Sequence, residues 1–332
     1  MEAKLVEAIP AGQGWLFEPK WDGFRCLAFR DGDTVVLQSK AGQPLTRYFP
    51  EVAAAVRKLA PHRFVLDGEV AVPVDGEFAF DALLQRIHPS DSRVRKLAAE
   101  TPAIFLVFDL LVDPDGRALV NESLADRRSK LEAFAARQLT ESGDVRLSPA
   151  TTDRSVVDGW FDNMAGLGLD GVMAKRLDAA YASGERTAMQ KIKRMRTADC
   201  VVGGFRWATG QRVVGSLLLG LYDQEGLLHH VGFTSSFKAT EKAAVLAKVE
   251  PLMGGEGFSG NAPGGPSRWS TERTGEWEPL APALVCEVRY DHWSGDRFRH
   301  GTTFLRWRPD KAPRQCTFDQ IPGRARARKH AS

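Results

Sequence analysis

Short stretches of alternating apolar and polar residues recur along this chain of 332 residues, but helical patterns do not follow them at regular intervals. In the first half, four such stretches predict strands and three segments have helical spacing. The predicted strands are residues 25–30, 34–38, 64–72 and 104–111, and the predicted helices are residues 50–59, 124–138 and 155–165. Because strand, helix and strand do not repeat in order, the pattern favours an α+β fold with antiparallel sheets over a doubly wound parallel sheet.

The second half has a different character, since most of it from Cys200 to Arg308 is predicted to form strands. These strands are expected at residues 200–206, 216–222, 227–234, 284–290 and 303–308, with one helix at residues 239–248. Five strands and a helix in about a hundred residues are typical of a small OB-fold barrel, which often binds nucleic acid. Frequent Gly and Pro predict a loop at residues 254–266.

These patterns divide the chain into three parts. We predict a domain of antiparallel sheets flanked by helices at residues 1–196, a β-rich OB-fold domain at residues 197–318 and a basic tail at residues 319–332. A hinge is expected at residues 194–199, close to a run of four cations in residues 191–196. The tail alternates Arg with Ala, which predicts a disordered segment able to contact phosphates.

Composition excludes several classes of protein. Charged residues make up 26% of the chain, and its apolar runs are far too short to cross a bilayer. The acidic start, Met-Glu-Ala, lacks the pattern of a signal peptide. We therefore expect a soluble, cytoplasmic protein with no membrane association. A monomer is also expected.

Charge and cysteine spacing limit the sites that the chain can carry. The formal net charge of +3 arises from residues 312–332, so contacts with nucleic acid must come from local patches and the tail. The four cysteines lie far apart and include no Cys-x-x-Cys pair. This spacing indicates neither a zinc ribbon nor a disulfide framework.

The segment at residues 18–25, Glu-Pro-Lys-Trp-Asp-Gly-Phe-Arg, carries a strong chemical signal. A lysine amine such as that of Lys20 can attack phosphorus once it has lost its proton. Asp22 can hold a divalent ion, Gly23 allows backbone to approach a nucleotide, and Arg25 can bind a ribose or phosphate. The same residues are also typical of a solvated hairpin turn, and the motif alone does not separate these alternatives.

Two further motifs lie at predicted strands. Asp67 and Glu69 flank a glycine, where they could bind metal and a ribose hydroxyl or could equally be solvated acids at the end of a hairpin. Phe108 follows an apolar run, so it could stack on a base or be an ordinary core residue.

A second set of charged residues occurs between positions 170 and 193. Asp170 and Lys175 are five residues apart, so on a strand they share a pocket only if a bend intervenes. Lys191 and Lys193 would share one face of a strand and could reach one phosphate, or they could belong to a solvated basic strand.

Seven motifs follow one another along the chain: Lys-x-Asp-Gly-x-Arg, Ser-Lys-Ala-Gly, Leu-Asp-Gly-Glu, Val-Phe-Asp, Asp-Gly-Val-Met-x-Lys, Lys-x-Lys and Arg-Pro-Asp-Lys. In this order they resemble the serial motifs of the covalent nucleotidyltransferase superfamily, and within it the ATP-dependent DNA ligases. The resemblance runs from about Phe17 to Lys311. The length is similar to that of the small bacterial C-type ligases, which have only a catalytic and an OB domain.

The resemblance implies a function. Residues 1–196 would form a nucleotidyltransferase (adenylation) domain, and the chain would seal nicks between a 5′-phosphate and a 3′-hydroxyl in duplex DNA. ATP would be the substrate and Mg²⁺ or Mn²⁺ the cofactor. A role in DNA repair, modest grip on DNA and help from repair-protein partners are expected, since no DNA-encircling, nuclease or polymerase segment is recognisable.

The resemblance also implies individual roles. Lys20 would become adenylated, Glu18 would contact adenine, and Phe108 would stack on the base. The segment at residues 308–311 would orient pyrophosphate for leaving in the first step only. In the 308–311 segment the residues implied are Arg308, Asp310 and Lys311. Arg25 and Glu69 would bind the ribose of ATP. The residues implied to face its α-phosphate are Lys175, Lys191 and Lys193, and Arg186 is also implied to bind ATP. Those implied to bind metal are Asp22, Asp67 and Asp170, and those implied to contact DNA are Lys40, Arg194 and Arg196.

Three positions depart from the pattern of the family. Lys40 stands where arginine is usual, which replaces a bidentate phosphate contact with a point charge. Asp170 replaces the commoner glutamate, and Met189 replaces a frequent aromatic residue. We expect these departures to weaken the grip on the nick 5′-phosphate, to lengthen the metal contact and to change one wall of the pocket.

Two rival functions share these features. An RNA ligase or an mRNA-capping-type guanylyltransferase would use the same lysine pocket, although Glu18 and the Arg-x-Asp-Lys ending favour adenylate and DNA. A nucleic-acid-binding protein with an OB domain and a decayed pocket is a non-enzymatic alternative. Against this alternative, an ionisable residue is present at every position where the pocket of the family has one.

Overall fold

A computed structural model of the chain describes residues 1–74, 76–164, 169–264 and 276–321. The chain divides into two compact units, Met1–Arg194 and Met195–Ser332, two residues before the boundary that the sequence predicts. Residue 165 of a predicted helix, residues 265–266 of the predicted loop and residues 322–332 of the predicted tail lie outside the described residues.

Strands and helices alternate irregularly in the first unit, as expected for an α+β fold. Its strands are β1 (Lys4–Val6), β2 (Trp15–Trp21), β3 (Phe24–Asp31), β4 (Thr34–Ser39), β5 (Arg63–Ala71), β6 (Pro73–Val74), β7 (Glu77–Phe78), β8 (Ile104–Val112), β9 (Val145–Leu147), β10 (Leu169–Arg176) and β11 (Met189–Ile192). Its helices are α1 (Pro50–Lys58), α2 (Phe80–Gln85), α3 (Asp91–Glu100), α4 (Leu124–Gln138) and α5 (Arg154–Asp162).

The first six of the seven motifs lie on or beside two sheets of the first unit. One has the strand order β1-β11-β10-β2 and the other has the order β4-β3-β5-β8-β9. Asp22 and Gly23 join β2 to β3, which belong to different sheets. The Asp-Gly pair is therefore not a hairpin turn, and the chain passes from one sheet to the other directly after Trp21, one residue beyond Lys20.

Strand β2 was not predicted from the sequence, although it carries Lys20. Its four residues from Leu16 to Pro19 are all buried, so the strand lacks the alternation of apolar and polar residues that marks a half-buried strand. Helices α2 and α3 were not predicted either.

The main core of the first unit lies between the five-stranded sheet and helices α1 and α4. The two-residue period of β5 places Leu66 and Val70 in this core and Asp67 and Glu69 on the opposite face. That opposite face faces the candidate site described below.

Strand β8 contains an extra residue at Phe108. Val107 pairs with Gly68 and Asp109 pairs with Asp67, so the register skips Phe108. A bulge of this kind re-aims side chains. Phe108 is half-buried and lies outside the hydrophobic clusters of the unit, which excludes the alternative of an ordinary core phenylalanine.

The second unit consists mainly of strands. They are β12 (Arg196–Trp207), β13 (Val214–Tyr222), β14 (Leu228–Thr234), β15 (Glu278–Pro279), β16 (Val285–Tyr290), β17 (Trp293–Ser294), β18 (Arg297–Phe298) and β19 (Thr303–Trp307), with the helix α6 (Lys242–Val249). The main sheet has the order β14-β13-β12-β16-β19, and its strand pairs are antiparallel.

The two edges of this sheet meet. Thr234 at the end of β14 forms a parallel bridge with Thr302, which directly precedes β19. The Thr234 hydroxyl donates to the Thr302 carbonyl oxygen at 3.0 Å. Five main strands, a closing bridge and a helix between the third and fourth strand are the features of the OB-fold that the sequence predicts.

The packed structure continues further than predicted. Ile321 is 2% exposed and belongs to the core of the second unit, and the Gln320 side chain bonds both backbone groups of Asp199. The predicted start of the tail at residue 319 is therefore too early. Among the described residues, the helices are too short or too polar to traverse a bilayer.

Candidate active site

A pocket of about 110 Å³ lies in the first unit between β2, β10 and β11 of one sheet and β3, β5 and β8 of the other. It brings together residues from six separate strands, including six of the predicted site residues. The lining residues are Glu18, Pro19, Lys20, Trp21, Arg25, Glu69, Phe108, Met173, Lys175 and Met189.

Lys20 is held at this pocket by a carboxylate that lies 150 residues away in the sequence. Its Nζ atom donates to Oδ2 of Asp170 at 2.5 Å, and Nζ of Lys193 lies 3.1 Å from the same oxygen. Burial raises the pKa of Asp170, but the positive charges of Lys20 and Lys193 outweigh burial and hold that pKa below its usual value. Three predicted site residues thus form one charged cluster.

A bend in β10 makes this cluster possible. The pairing of β10 with β2 shifts register between Leu169 and Gly171, and Gly171 has a φ angle of 156°. A Cβ atom at position 171 would collide with the carbonyl oxygen of Ile192. The bend required for Asp170 to share a site with Lys175 is therefore present, and it depends on a residue without a side chain.

Arg25 is fixed by a fully buried carboxylate. Its Nε and Nη2 atoms donate to Oδ1 and Oδ2 of Asp67 at 3.1 and 2.6 Å, and its Nη1 donates to the Met1 carbonyl oxygen at 2.5 Å. The Tyr181 hydroxyl donates to Oδ2 of Asp67 at 2.7 Å and accepts from Nη2 of Arg25 at 3.2 Å. Burial and the charge of Asp67 raise the pKa of Tyr181.

Tyr181 was missed by the sequence analysis as a functional residue. It lies five residues before Arg186, but no local pattern distinguishes a tyrosine that reaches Asp67, 114 residues away. The guanidinium of Arg127 packs 5.7 Å from the centroid of its ring and is itself bonded to Asp109. These contacts connect helix α4 to the strands of the pocket.

Glu18 is 1% exposed, and its two carboxylate oxygens differ. Oε2 lies 2.5 Å from Nζ of Lys175, whereas Oε1 is buried and has no hydrogen-bond partner among the described residues. Nη1 of Arg128 lies 4.0 Å from Oε1 and is also buried without a partner among them. Because buried polar atoms normally have partners, Oε1 is an acceptor suited to a donor group of a ligand.

Lys175 also contacts the aromatic ring that is predicted to stack on a base. Its Nζ atom lies 4.2 Å from the centroid of the Phe108 ring, and the guanidinium of Arg25 lies 5.8 Å from it. Cations attract the face of an aromatic ring. The ring of Phe108 is therefore turned toward the charged groups of the pocket.

Glu69 differs from the other carboxylates of the site. Burial raises its pKa to about 8, although the charges of Lys20 and Arg25 oppose this shift. Gly23 packs against the same residue, since a Cβ at position 23 would collide with the carbonyl oxygen of Val70 and lie 2.7 Å from Cγ of Glu69. Close packing within the protein accounts for this glycine.

Two of the predicted cations meet around an acidic residue that the sequence analysis missed. Nζ of Lys40 lies 3.0 Å from Oε1 of Glu2, and Nη2 of Arg186 lies 2.7 Å from Oε2. Hydrogen bonds from both cations lower the pKa of Glu2 to about 2. No sequence pattern marks Glu2, because its partners are 38 and 184 residues away.

The other basic residues have different surroundings. Burial lowers the pKa of Lys191, and the charges of Lys193 and Lys20 lower it further. Arg194 donates to the carbonyl oxygen of Phe161 at 3.2 Å. Arg196 is the first residue of β12 in the second unit.

In the second unit, Asp199 joins the residues of the last motif. Its Oδ1 accepts from Nη1 of Arg308 at 2.9 Å, and its Oδ2 accepts from Nζ of Lys311 at 2.7 Å. Asp310 accepts from Nε and Nη2 of Arg308, and this hydrogen bonding lowers the pKa of Asp310 to about 2. Asp199 was not recognised from the sequence.

The three carboxylates predicted to bind metal do not form a common set of ligands. Both oxygens of Asp67 are bonded to Arg25 and Tyr181, and Oδ2 of Asp170 is bonded to Lys20 and Lys193. No cluster of three or more His, Cys, Asp or Glu side chains able to hold a metal ion occurs in the part of the chain that the structure describes. These residues do not fit a metal site made by the protein alone.

Comparison with known proteins supports the family resemblance independently of the site geometry. Residues 2–193 match the model of the ATP dependent DNA ligase domain, and residues 210–311 match that of the ATP dependent DNA ligase C terminal region. The chain is 43% identical to DNA ligase C of Mycobacterium tuberculosis, over 97% of this chain and 92% of that protein. It is 34% identical to the multifunctional non-homologous end joining protein LigD of Mycobacterium bovis, over 93% of this chain and 38% of that protein.

A solved structure from a study of Lig E DNA ligases has the same fold. It aligns with a TM-score of 0.55 and 17% sequence identity, over 89% of this chain and 93% of that one. The α+β prediction is thereby confirmed. The two family matches and the identity to DNA ligase C over nearly the whole chain show that the chain belongs to the ATP-dependent DNA ligases.

Proposed function

We propose that this ligase seals nicks between a 5′-phosphate and a 3′-hydroxyl in duplex DNA through an adenylate carried on Lys20. The observation that carries the proposal is the position of Lys20. Its amine lies at a pocket that also contains a buried acceptor, an aromatic ring and a fixed guanidinium. These are the groups that an adenine, a ribose and an adjacent phosphate would need.

The base would be bound by Glu18 and Phe108. Oε1 of Glu18 can accept a hydrogen bond from an exocyclic amine, because it is buried and has no partner among the described residues. A base that stacks on Phe108 would compete with Lys175 for the ring. We propose that Lys175 then turns from Phe108 and Glu18 toward the α-phosphate.

The sugar would be bound by Arg25 and Glu69, with Asp67 as a positioning residue. Asp67 is fully buried, and its bonds to Arg25 and Tyr181 leave it poorly placed to reach a metal ion. A bidentate contact orients the guanidinium more firmly than a single bond would. We therefore assign Asp67 to the orientation of Arg25 rather than to metal binding.

Three displacements at phosphorus follow from this arrangement. The neutral amine of Lys20 attacks the α-phosphorus of ATP, a phosphorus–nitrogen bond forms, and the bond to pyrophosphate breaks. An oxygen of the DNA 5′-phosphate then takes the adenylate from Lys20. Finally the 3′-hydroxyl attacks the activated 5′-phosphate and AMP leaves. Positioning and charge neutralisation supply most of the acceleration of such steps.

The surrounding cations would act on the charged intermediates of this sequence. Lys20 must leave Asp170 before it attacks, and Lys193 and Lys191 would then face the α-phosphate. Burial and the nearby cations Lys193 and Lys20 lower the pKa of Lys191, which reduces the repulsion among these lysines. Arg308, Asp310 and Lys311 would orient pyrophosphate in the first step, and Arg186 would contact ATP. Lys40, Arg194 and Arg196 would contact DNA or its 5′-phosphate.

A divalent ion, Mg²⁺ or Mn²⁺, is proposed to enter with ATP. Magnesium commonly binds through substrate phosphates with only one or two carboxylates, so it does not require a preformed protein site. Of the three predicted ligands, Asp22 and Asp170 are the candidates to approach it. Loss of Lys20 adenylation in the presence of a chelator, and its return with Mg²⁺ or Mn²⁺, would test this assignment.

The central experiment is to incubate the full chain with ATP and a divalent cation and to map the added mass of AMP by peptide mass spectrometry. We expect the adenylate on the peptide that contains Lys20. A Lys20→Ala protein should carry none and should not seal nicked duplex from ATP. Adenylate on another residue, or full sealing by Lys20→Ala, would contradict the proposal.

The same assay separates the two rival enzymes. A capping-type guanylyltransferase would be labelled by GTP, whereas we expect labelling by ATP. An RNA ligase would prefer nicks with RNA strands, whereas we expect sealing of nicks in DNA.

The cellular role is also a proposal. The likeness to a protein named for non-homologous end joining supports a function in the repair of broken DNA. The monomeric state, the cytoplasmic location with the nucleoid and the repair-protein partners stay predictions from the sequence.

A further inference from the structure

Asp199 is the central group of a charged cluster within the second unit. It is 14% exposed at its side chain, and each of its carboxylate oxygens binds a different cation of the last motif, Arg308 or Lys311. These cations lie 109 and 112 residues away in the sequence. One short side chain therefore sets the distance between the two charged groups.

The backbone of Asp199 is fixed on both sides. Strand β12 pairs Asp199 with Glu287 of β16. The Gln320 side chain accepts from the Asp199 amide at 2.8 Å and donates to its carbonyl oxygen at 3.0 Å. A carboxylate on a fixed strand can hold two long, flexible side chains in one arrangement, which otherwise costs conformational entropy when they bind a ligand.

The hydrogen bonds leave donors for an anion. Arg308 uses Nη1 toward Asp199 and Nε and Nη2 toward Asp310, so among the described residues one N–H on each terminal nitrogen stays available. Lys311 uses one of its three N–H groups toward Asp199. Together they offer a set of N–H donors, held by one carboxylate, that an anionic phosphate could accept from.

We infer that Asp199 is a positioning residue that orients Arg308 and Lys311 toward the pyrophosphate that leaves during adenylation of Lys20. The inference rests on the proposed function, in which these two cations act in the first step alone. Asp199 would therefore contribute to the first step and not to the two later ones. The residue touches neither the DNA nor the adenylate in this assignment, so the later steps do not depend on it.

Asp199→Asn is a suitable test because it keeps the size and shape of the side chain. The amide oxygen can still accept from Arg308, but the amide nitrogen would face the ammonium of Lys311, donor against donor. Glu287→Gln is a matched control. Glu287 is the cross-strand neighbour of Asp199 and has a side chain 18% exposed. Its ion pair is with Arg306 at 2.6 Å, and it acts on Arg308 through its charge.

The experiment uses full-length protein that has been charged with AMP and freed of ATP. One portion receives inorganic pyrophosphate, which reverses the first step, and another receives nicked duplex DNA, which starts the second. For Asp199→Asn we expect AMP transfer to pyrophosphate to slow about tenfold to a hundredfold, the range for misplaced catalytic groups. Transfer to DNA should stay within about twofold of wild type, as should both reactions of Glu287→Gln.

Equal losses with pyrophosphate and DNA would show a general structural defect and overturn the inference, as would unchanged rates with both. Thermal melting of the variants checks that they are folded. If the wild-type protein does not form the Lys20 adenylate at all, the proposed function fails, and that failure is visible before any variant is compared.

Discussion

Asp67 and Glu69 are two residues apart on one strand, yet their surroundings give them different chemistry. Asp67 is fully buried, and both of its oxygens accept hydrogen bonds from Arg25 or Tyr181. Glu69 lies beside Lys20 and Arg25, but burial dominates and raises its pKa to about 8. A carboxylate that is protonated at neutral pH can donate a hydrogen bond, whereas a charged one only accepts.

Removal of the Tyr181 hydroxyl tests its role in holding Arg25. We expect Tyr181→Phe to lower the free energy of unfolding by about 1 kcal/mol, the usual value for one hydrogen bond. The KM for ATP in the adenylation step should rise more than the maximal rate falls, because Arg25 is proposed to bind the ribose. Urea denaturation and single-turnover adenylation measure the two effects.

Tyr48→Phe is the control for this substitution. The Tyr48 ring packs against Arg47, and its hydroxyl forms no hydrogen bond among the described residues. It should leave both quantities near their wild-type values. An unchanged KM in Tyr181→Phe, with reduced stability, would restrict Tyr181 to a structural role.

The raised pKa of Glu69 predicts a pH dependence of stability. The folded protein binds this proton more tightly than the unfolded chain, whose pKa is near 4.5. The stabilising contribution is therefore fully present below about pH 4.5 and is lost as the pH rises through about 8. Wild type should lose stability relative to Glu69→Gln over this interval, by up to about 1.4 kcal/mol for each pH unit.

Denaturation of both proteins at pH values from 5 to about 9 measures the difference. The Gln side chain is neutral at every pH, so Glu69→Gln is the reference against which the wild-type stability is compared. A constant difference across this interval would mean that Glu69 is already charged at the lower pH values in the folded protein.

At the scale of elements, two irregular strands build the site. The bulge in β8 turns Phe108 out of the core, and the bend in β10 at Gly171 brings Asp170 to Lys20. In a regular strand the two-residue period would fix which of these side chains face the pocket. The irregularities change that assignment at the positions where the chemistry is proposed.

Gly171→Ala tests the bend in β10. The new Cβ would collide with the Ile192 carbonyl oxygen at a φ angle that favours glycine. We expect the free energy of unfolding to fall by about 2–3 kcal/mol. Adenylation of Lys20 should fall as well, because Asp170 and Lys193 would shift. Chemical denaturation and labelling with ATP measure these effects.

The chain offers a matched glycine in helix α5. A Cβ added at Gly159 would point into open space, with no neighbouring heavy atom within 4 Å, so Gly159→Ala should be neutral or stabilising by about 1 kcal/mol. If Gly171→Ala were equally harmless, the strand would have an alternative path and the bend would not be required.

At the scale of the whole molecule, the two units have separate hydrophobic cores. One core cluster consists of residues of the second unit alone, and the others consist of residues of the first unit. Each unit has a length at which a domain can bury enough surface to fold. The pocket with Lys20 lies entirely within the first unit, whereas Arg308 and Lys311 belong to the second.

A fragment of residues 1–194 should therefore fold by itself and separate binding from catalysis. We expect cooperative thermal unfolding by circular dichroism and retained binding of ATP. The rate of Lys20 adenylation should fall about a hundredfold or more, as when donors to a developing charge are removed. Wild-type adenylation by the fragment would show that the last motif is not needed for the first step.

Much of the architecture could be predicted from the sequence, because the periods of strands and helices are local properties. The five main strands of the second unit and helix α4 were located by alternation and spacing alone. Strand β2 was missed because it is buried on both faces and shows no alternation. The candidate site residues were identified from the order of the motifs, which is likewise a property of the sequence alone.

The sequence by itself determined the α+β class, the succession of a mixed unit and a β-rich unit, and the residue types available for chemistry. Only the tertiary structure decided which of them meet. Asp170 joins Lys20, Asp67 joins Tyr181 and Asp199 joins Arg308 across more than a hundred residues each. Such contacts depend on strand register, bulges and the order of strands in a sheet, and no local pattern of residues encodes these long-range relations.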